Sequence, residues 1–206
     1  MIKILGDLPN KVYLGCSGGV DSMAILDFLI KGKKEVVACY FNHGTEHSKS
    51  VWTELKKYCD SRGIQTIYGE STREKLKEES PEEYWRNIRY DFFKTIPGDV
   101  ITCHHLDDCV ETYLFNAIHG NPRTIQYRNG NVIRPFLTTK KSDFTNWCQR
   151  KGVPYWEDVS NNNLSYSRNR IRHMVVPEVL KINPGIHKVV KKIINIDYEN
   201  SGKVVV

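Results

Sequence analysis

The chain has 206 residues, of which 40% are hydrophobic and 26% are charged, so it can bury the core of one α/β domain with a short appendage. No run of 18 apolar residues occurs, which excludes a membrane-spanning helix at the level of sequence. The six cysteines form no C-x-x-C pair, and the N-terminus has no apolar signal-peptide core. We therefore expect a reducing, cytoplasmic setting without a disulfide framework.

The net charge of +6 is concentrated in one part of the chain. Residues 161–192 contain seven basic side chains and a single acidic one, Glu178, so this segment carries the whole formal excess. A solvated helix face explains such a run, and so does a surface that binds nucleic acid. The second interpretation assigns the segment a role in binding a polyanion.

Apolar, β-rich runs alternate with segments of helical periodicity along the chain. The predicted strands cover residues 12–16, 35–41, 64–68, 99–103 and 132–137, and the predicted helices cover residues 23–30, 50–62, 81–95, 107–119 and 142–150. This alternation predicts an α/β fold with a doubly wound, mostly parallel five-stranded sheet and helices on both faces. A short helical extension follows at the C-terminus. Pro135 should take the last residues of the fifth strand out of the ladder.

A glycine-containing loop joins the first predicted strand to the first helix, and it consists of Ser17, Gly18, Gly19, Val20, Asp21 and Ser22. Glycines allow a phosphate to approach the backbone closely, and the free N–H groups of a helix start point toward it. The serine hydroxyls add donors, and Asp21 can hold a cation. The loop has neither a Walker lysine nor a G-x-G-x-x-G pattern, and a plain strand-to-helix turn is the alternative interpretation.

Carboxylates cluster after the fourth predicted strand, in the sequence His104-His-Leu-Asp-Asp-Cys-Val-Glu111. Asp108 and Glu111 are three residues apart and share a helix face, where like charges repel and require a cationic partner, either Mg²⁺ or a substrate ammonium group. The alternative is a solvated helix N-terminus, which accounts for Asp107 and Asp108 but not for Glu111. Because Ser17, Asn42 and His104 all follow strand ends, we expect one crevice at the carboxyl edge of the sheet.

These motifs resemble those of a known family. The loop is similar to the SGGxDS loop of the PP-loop ATP pyrophosphatases, which cleave ATP to AMP and pyrophosphate. Residues 104–112 are similar to the H-x-x-D-D-x-x-E-T motif of the tRNA(Ile)-lysidine synthases within that superfamily. Further resemblances follow in order, over roughly residues 12–185: Arg86–Tyr90 to R-x-x-R-Y, Ile133–Leu137 to I-R-P-L-L, Glu157–Asn161 to E-D-x-S-N, and Arg168–Pro177 to R-N-x-x-R-x-x-x-x-P.

The resemblance implies an activity and a set of ligands. Enzymes of this family adenylate the wobble cytidine of an isoleucine tRNA with ATP, and free lysine then displaces AMP to form lysidine. The implied cofactors are ATP and Mg²⁺, and the implied partners are tRNA and L-lysine. The resemblance also implies that residues 1–160 form the ATP-binding catalytic domain, as in the family's N-terminal part, and that residues 161–206 form a basic, mainly helical extension of the same domain.

Residue roles carry over only where this sequence matches the family's motifs. The implied catalytic residues are Asp21, Asp108, Glu111 and Arg89, with Asp108 and Glu111 also binding lysine and Asp21 and Asp107 holding the metal. The implied ATP site comprises residues 17–22 with Asn42, His43 and His104. The implied tRNA or phosphate contacts are Arg86, Arg89, Arg123, Arg168, Asn169 and Arg172.

The sequence also departs from the family. Residues 119–125 replace a glycine-rich loop, Tyr40 stands where the family has a histidine, and the C-terminal domains that grip tRNA have no counterpart before Val206. Two other functions stay open. A PP-loop tRNA thiolase would use Cys16, Cys103 and Cys109, which are otherwise buried structural thiols, and a nucleotide-gated RNA-binding module would have no turnover.

Overall fold

The structure, a computed structural model, describes residues 1–71, 73–157 and 166–201. Its strands are β1 (Lys11–Gly15), β2 (Glu35–Asn42), β3 (Gln65–Glu70), β4 (Val100–Ile101), β5 (Arg128–Asn129) and β6 (Val132–Ile133). They form one sheet in the order β3-β2-β1-β4-β6-β5, in which β5 and β6 are antiparallel and all other neighbours are parallel. The positions Asp158, Ser160 and Asn161 of the E-D-x-S-N resemblance lie outside the described residues.

The helices alternate with the strands as predicted. They are α1 (Val20–Lys31), α2 (Glu46–Asp60), α3 (Pro81–Lys94), α4 (Leu106–Ile118), α5 (Lys141–Lys151), α6 (Ser167–Arg170), α7 (Val176–Ile182) and α8 (Ile186–Ser201), with a π-helical turn (Ile171–Val175) between α6 and α7. None of the helices in the described ranges is long and apolar enough to cross a membrane.

Capping side chains set the starts of α2 and α3. The Ser80 hydroxyl accepts the N–H of Glu83 at the start of α3, as the Ser-Pro-Glu-Glu pattern predicts. The Thr45 hydroxyl likewise accepts the N–H of Ser48, and α2 therefore begins at Glu46, four residues before the predicted start. The predicted start was wrong because the apolar pattern of α2 begins later than its cap.

The sheet has one strand more than predicted in the described part of the chain. The added strand, β5, is a two-residue antiparallel edge strand that pairs Arg128 with Ile133 and Asn129 with Val132. Its residues are exposed and lack the apolar alternation that marks a longer strand. The fifth predicted strand corresponds to β6, which ends at Ile133, so the residues around Pro135 leave the ladder as expected.

Helices cover both faces of the sheet. On one face, Leu14 of β1 and Ala38 of β2 pack with the α1 residues Met23 and Leu26 and with Phe144 of α5. On the other face, buried side chains of β2, β4 and β6 pack against the C-terminal end of α3 and the residues after it: Cys39, Val100, Val132, Phe93 and Ile96. The doubly wound arrangement predicted from the alternation of elements is thereby confirmed.

The basic C-terminal segment closes a separate apolar cluster over α4. Val190 and Ile194 of α8 are buried together with Leu106 and Val110 of α4 and with Leu137. Basic residues of α8 occupy its outer side, with Lys188 and Lys192 exposed. The domain boundary expected at residue 160 lies among residues outside the described ranges and stays a prediction.

The strand order creates a crevice at one edge of the sheet. From β1 the chain proceeds outward to β2 and β3, then returns to place β4 on the other side of β1. The strand order therefore reverses between β1 and β4, and ligands of doubly wound sheets bind outside the carboxyl ends of the strands at such a point.

The two sides of α8 give a matched stability test. Ile194 is 2% exposed and Ile196 is 47% exposed, so the same substitution removes core packing at one position only. We expect Ile194→Ala to lower the free energy of unfolding by about 2–4 kcal/mol and Ile196→Ala to change it by less than about 0.5 kcal/mol. Chemical denaturation of both variants measures the difference, and equal effects would contradict the packing of α8 on α4.

Candidate active site

A cavity of about 660 Å³ opens at the carboxyl edge of the sheet. Its wall combines side chains that follow β1, β2 and β4 with side chains from α3, α5, α6 and the π-helical turn. Polar groups in the wall include Ser17, Asp21, His43, Arg89, His104, His105, Asp108, Lys141, Thr145, Arg168, Arg172 and His173. The expected convergence of strand ends on one crevice is therefore found for Ser17 and His104.

The two glycines of the loop after β1 serve different purposes. Gly18 has a φ of +81°, and a Cβ there would overlap Cγ1 of Val51 and lie 3.3 Å from the Trp156 ring. The Gly18 carbonyl accepts the N–H of Trp156 over 3.0 Å, which fixes the turn against the segment after α5. Gly18 is therefore required by the fold itself and does not line the cavity.

Gly19 faces open space. Its backbone angles, φ −73° and ψ 166°, are accessible to any residue, and the nearest atom to a Cβ would be the Ser17 hydroxyl at 3.6 Å. The Ser22 hydroxyl, which does not line the cavity, donates to the Gly19 carbonyl over 2.9 Å. Nothing in the described residues requires a glycine at position 19, whereas a phosphate lying on the first turn of α1 would.

Asp21 presents a carboxylate oxygen without a partner. Its Oδ1 is buried and accepts no hydrogen bond from the described residues, while Oδ2 lies 3.6 Å from Nε2 of His105. A buried carboxylate oxygen without a donor is costly unless a cation or another donor reaches it. The unpartnered Oδ1 of Asp21 therefore suits contact with a cation. In the described ranges, no group of three His, Cys, Asp or Glu side chains is arranged to hold a metal ion.

His105 is 2% exposed and caps α4 in a reciprocal box with Asp108. The Asp108 N–H donates to Nδ1 of the neutral ring over 3.3 Å, and the His105 N–H donates to Oδ2 of Asp108 over 3.0 Å. Burial by itself would lower the pKa of His105, but the charges of Asp108, Asp21 and Asp107 outweigh it and raise the pKa to about 9. In the charged ring, Nδ1–H faces Oδ2 of Asp108 at 3.5 Å.

Both carboxylate oxygens of Asp107, which was expected to be a second metal ligand, contact other protein groups. Its Oδ2 accepts the N–H of Lys141 over 2.8 Å, and its Oδ1 lies 3.1 Å from Nε2 of His187. Asp107 also lies on the Nδ1 side of His105, whereas Asp21 lies on the Nε2 side, so the imidazole separates the two carboxylates. In this structure Asp107 joins α4 to α5 and α8.

The partner of the paired acids is a side chain of the protein. Arg172, on the π-helical turn, donates from Nε to Oε1 of Glu111 over 2.7 Å and from Nη2 to Oε2 over 2.9 Å. The same Nη2 lies 3.4 Å from Oδ1 of Asp108. Asp108 and Arg172 line the cavity, and Glu111, which is 5% exposed, lies behind them. Arg172 was expected to contact phosphate, but its guanidinium is engaged by these acids.

The other expected cationic residues separate into two groups. Arg89 and Arg168 line the cavity together, and burial and the neighbouring positive charges lower the pKa of Arg89. No acid of the described residues forms a salt bridge with either. Arg86 is exposed and lies over the Tyr90 ring at 4.7 Å, and Arg123 is exposed on the loop after α4, so both are outside the cavity.

The residues expected near the nucleoside also differ in their placement. Asn42 does not line the cavity, because its side chain donates to the Tyr68 hydroxyl and accepts the N–H of Gly44, each over 2.8 Å. His43 lines it between the rings of Phe41 and Trp85. His104 lines it too, with Nδ1 2.9 Å from the Thr102 hydroxyl, and burial lowers its pKa to about 3, so it is neutral at physiological pH. Val20 is in the wall, and Asn169 is half-buried on α6.

Sequence reasoning missed three parts of the site. His105 was passed over in favour of His104, although its position three residues before Asp108 is the spacing of a capping box. Trp156 holds the loop through its backbone, and Lys141 and Thr145 bring α5 into the wall. No local signal marks these last residues, because only the packing of α5 on α1 places them there.

The sequence is similar to known proteins over most of its length. Residues 3–179 match the PP-loop domain family. The chain is 32% identical over 213 residues to the tRNA(Ile)-lysidine synthase of Francisella philomiragia, covering 97% of this chain and 53% of that protein. It is 32% identical over 195 residues to the tRNA(Ile)-lysidine synthase of Lactiplantibacillus plantarum, covering 86% of this chain and 44% of that protein. The chain thus spans about half the length of the curated relatives it matches.

A solved structure shares the fold. The U34-tRNA thiolase NcsA from Methanococcus maripaludis, with its 4Fe-4S cluster, superposes with a TM-score of 0.72 over 98% of this chain and 74% of that one, at 16% sequence identity. At this identity the likeness concerns the fold alone. Because the family match extends over most of the sequence and the loop after β1 carries its motif, the chain belongs to the PP-loop domain family.

Proposed function

We propose that this chain is the catalytic part of a tRNA(Ile)-lysidine synthase-like ligase, which uses ATP and L-lysine to modify the wobble cytidine of an isoleucine tRNA. One observation carries the proposal: an anion-binding loop and a buried acid–histidine cluster face the same cavity at the β1–β4 switch point. The lysidine synthases that are similar to this chain match 97% and 86% of its residues, and they support the choice of substrate class.

ATP binds with its phosphates on the loop after β1. Gly19 leaves the first turn of α1 open, and the Ser17 hydroxyl stands beside it. Asp21 Oδ1 would hold Mg²⁺, which when bound neutralises charge on the pyrophosphate leaving group. The neutral His104 and the half-buried His43, which follow β4 and β2 and line the same cavity, are the residues assigned to the nucleoside part of the ligand.

Two displacements then follow in the cavity. The C2 oxygen of the cytidine attacks the α-phosphorus of ATP, and the bond to the bridging oxygen breaks with its electron pair on pyrophosphate. The lysine amine next attacks C2, and AMP leaves with the C2–O electrons. Burial raises the pKa of Asp108, but the charges of His105 and Arg172 bring it below its usual value and keep this cavity-facing carboxyl ionised. The ionised Asp108 is the group that accepts a proton from the attacking amine.

Lysine shares the acid site with Arg172. The guanidinium shows that Asp108 and Glu111 bind a cation in this position, and the Asp108 contact at 3.4 Å is the weaker of the two. A lysine ammonium group therefore reaches Asp108 from the cavity, while Glu111 keeps its bidentate partner. This arrangement assigns direct lysine contact to Asp108 and an indirect role to Glu111.

The RNA approaches along the basic side of the cavity. Arg89 and Arg168 have no acidic partner among the described residues, and the exposed Arg86 lies one helical turn before Arg89 on α3. Arg123 is a separate exposed cation on the loop after α4. Such contacts to phosphate position a tRNA without reading its sequence. Identity is read at unstacked anticodon bases, where aromatic and arginine side chains stack.

The thiolase alternative has little support from the cysteines. Burial raises the pKa of Cys16 to about 11 and that of Cys109 to about 12, and Cys103 is raised well above its usual value. These thiols are protonated at physiological pH, while sulfur chemistry requires a thiolate.

Incubation with labelled lysine, ATP and cytidine-bearing isoleucine tRNA tests the proposal directly. Label in tRNA supports it, adenylation without label favours a different nucleophile, and RNA binding without ATP turnover favours a non-catalytic module.

The two loop glycines should separate folding from ligand binding. Gly18→Ala places a Cβ against Val51 in a left-handed backbone conformation, so it should lower the free energy of unfolding by about 1–3 kcal/mol. Gly19→Ala meets no such obstacle and should keep wild-type stability while weakening ATP binding about tenfold or more. Thermal unfolding and ATP titration measure the two effects, and wild-type ATP affinity in Gly19→Ala would contradict the placement of the phosphates.

Asp21→Asn should lower the rate of ATP cleavage by about 100-fold or more, because it removes the charge that holds the cation but keeps the side-chain shape. Pyrophosphate release in single-turnover reactions measures it. Asp91→Asn, at an exposed carboxylate of α3 outside the cavity, is the control and should behave as wild type. Undiminished turnover by Asp21→Asn would remove Asp21 from the site.

Asp108→Asn should raise the KM for lysine by roughly 10- to 100-fold, the loss of one charged hydrogen bond. Adenylated tRNA should still accumulate, because the phosphate loop is untouched. Lysine-dependent transfer and adenylate formation are measured separately, with Glu178→Gln on α7 as the exposed-acid control. An unchanged lysine dependence would return Asp108 to a purely capping role at the start of α4.

A further inference from the structure

Resting on the proposed function, we propose that Lys141 binds the pyrophosphate part of ATP and supplies the cation that the loop after β1 lacks. The loop itself offers amide and hydroxyl donors and one acid, but no lysine or arginine between Ser17 and Ser22. Pyrophosphate gains negative charge as it leaves, and a positioned cation stabilises that charge. The wall of the cavity that contains the loop also contains such a cation, Lys141 at the start of α5.

The packing of α5 on α1 brings Lys141 to the loop. Cys148 points its Sγ to the carbonyl of Val20 at 3.6 Å, at the first residue of α1. Lys141 and Thr145 are seven and three residues earlier on α5, on the same helix face, and both line the cavity. One face of α5 therefore runs along the start of α1 and ends in the lysine.

Further contacts hold α5 in this position. The Trp147 indole donates to Oδ2 of Asp27 on α1 over 2.8 Å, and the ring of Phe144 packs edge-on against Phe136 in the core. The backbone N–H of Lys141 donates to Oδ2 of Asp107 over 2.8 Å. The base of the lysine side chain is thus fixed, while its stem is free to follow a ligand.

The ammonium group of Lys141 is available for an anion. Among the described residues, no acid forms a salt bridge with it and no acceptor binds its Nζ. The other cavity cations have different surroundings: Arg172 is held by Glu111, and Arg89 and Arg168 act together on His104 at the end of β4. Lys141 is the cavity cation whose helix packs on the start of α1, next to the loop on which the proposal places the β- and γ-phosphates.

In this arrangement, different side chains of the cavity bind the pyrophosphate part and the α-phosphate of ATP. The loop amides and Lys141 hold the two phosphates that leave together, with Asp21 as the residue that would hold a metal ion there, and Arg89 and Arg168 remain for the α-phosphate and the RNA. When the C2 oxygen of cytidine forms its bond to the α-phosphorus, the electron pair of the broken P–O bond stays on pyrophosphate. The Lys141 ammonium then faces the group whose charge increases, so it favours departure as well as binding.

Adjacent lysines provide a matched test. Lys140 is exposed, precedes α5 and does not line the cavity, so Lys140→Ala controls for the loss of one positive charge near the site. We expect Lys141→Ala to lower the affinity for inorganic pyrophosphate roughly tenfold or more and to leave the affinity for AMP unchanged. Lys141→Arg should restore most of the pyrophosphate affinity, and Lys140→Ala should bind both ligands as wild type does.

Calorimetric titration of pyrophosphate alone and AMP alone, each with Mg²⁺, gives the affinities without turnover. In steady-state reactions, Lys141→Ala should also raise the KM for ATP and lower kcat. Equal pyrophosphate binding by Lys141→Ala and Lys140→Ala would overturn the inference, and so would a parallel loss of AMP and pyrophosphate binding accompanied by a lower melting temperature. If wild-type protein transfers lysine but Lys141→Ala is unaffected, only this inference fails; if wild-type protein neither binds nor cleaves ATP, the proposed function fails with it.

Discussion

A buried imidazole surrounded by carboxylates holds the site together. His105 starts α4 and places Nε2 toward Asp21 of α1 and Nδ1 toward Asp107 and Asp108. A charged ring with 2% exposure is tolerable only where opposite charges replace its water, and the acids do so from both sides. The starts of α1 and α4 are consequently locked to each other, and every ligand that lies on the phosphate loop meets a fixed arrangement of charge.

The cluster of His105 and its neighbouring acids also contacts α5 and α8 through Asp107. Asp107 binds the first N–H of α5 and lies against His187 of α8, so four helices meet around one short segment. Because both carboxylate oxygens of Asp107 already have protein partners, Asp107 is poorly suited to bind a second metal ion, but it holds α4, α5 and α8 together. Hydrogen bonds and ion pairs offset the cost of burying the acids of this cluster, whereas Oδ1 of Asp21 is buried and accepts no hydrogen bond from the described residues.

The charges of the cavity wall are divided by their partners. Glu111 and Asp108 are neutralised by Arg172, whereas Arg89, Arg168 and Lys141 have no acidic partner among the described residues. An excess of unpaired cations around a glycine loop suits a ligand with several phosphates. The basic helix α8 has a double role in this arrangement, because its inner side completes the core over α4 and its outer side presents Lys188 and Lys192.

The alternation of apolar runs and helical segments was sufficient to predict the α/β class and both faces of the sheet, because strand and helix periods are local properties of the sequence. The phosphate loop was predictable for a similar reason, since a strand, two glycines and a helix start are adjacent in the chain. The edge strand β5 could not be predicted, because its two polar residues gain their pairing only from β6.

Tertiary structure alone decided which candidate residues act together. Spacing showed that Asp108 and Glu111 share a helix face, but the cation that satisfies them comes from Arg172, 61 residues after Glu111. It also showed Arg86 and Arg89 one turn apart, yet only Arg89 of the two lines the cavity. Lys141 has no motif around it and reaches the site because α5 packs on α1. The sequence by itself determined the order of the longer strands and helices and the loop after β1, whereas the pairing of charges depended on side chains that only the folded chain brings within a few ångströms of one another.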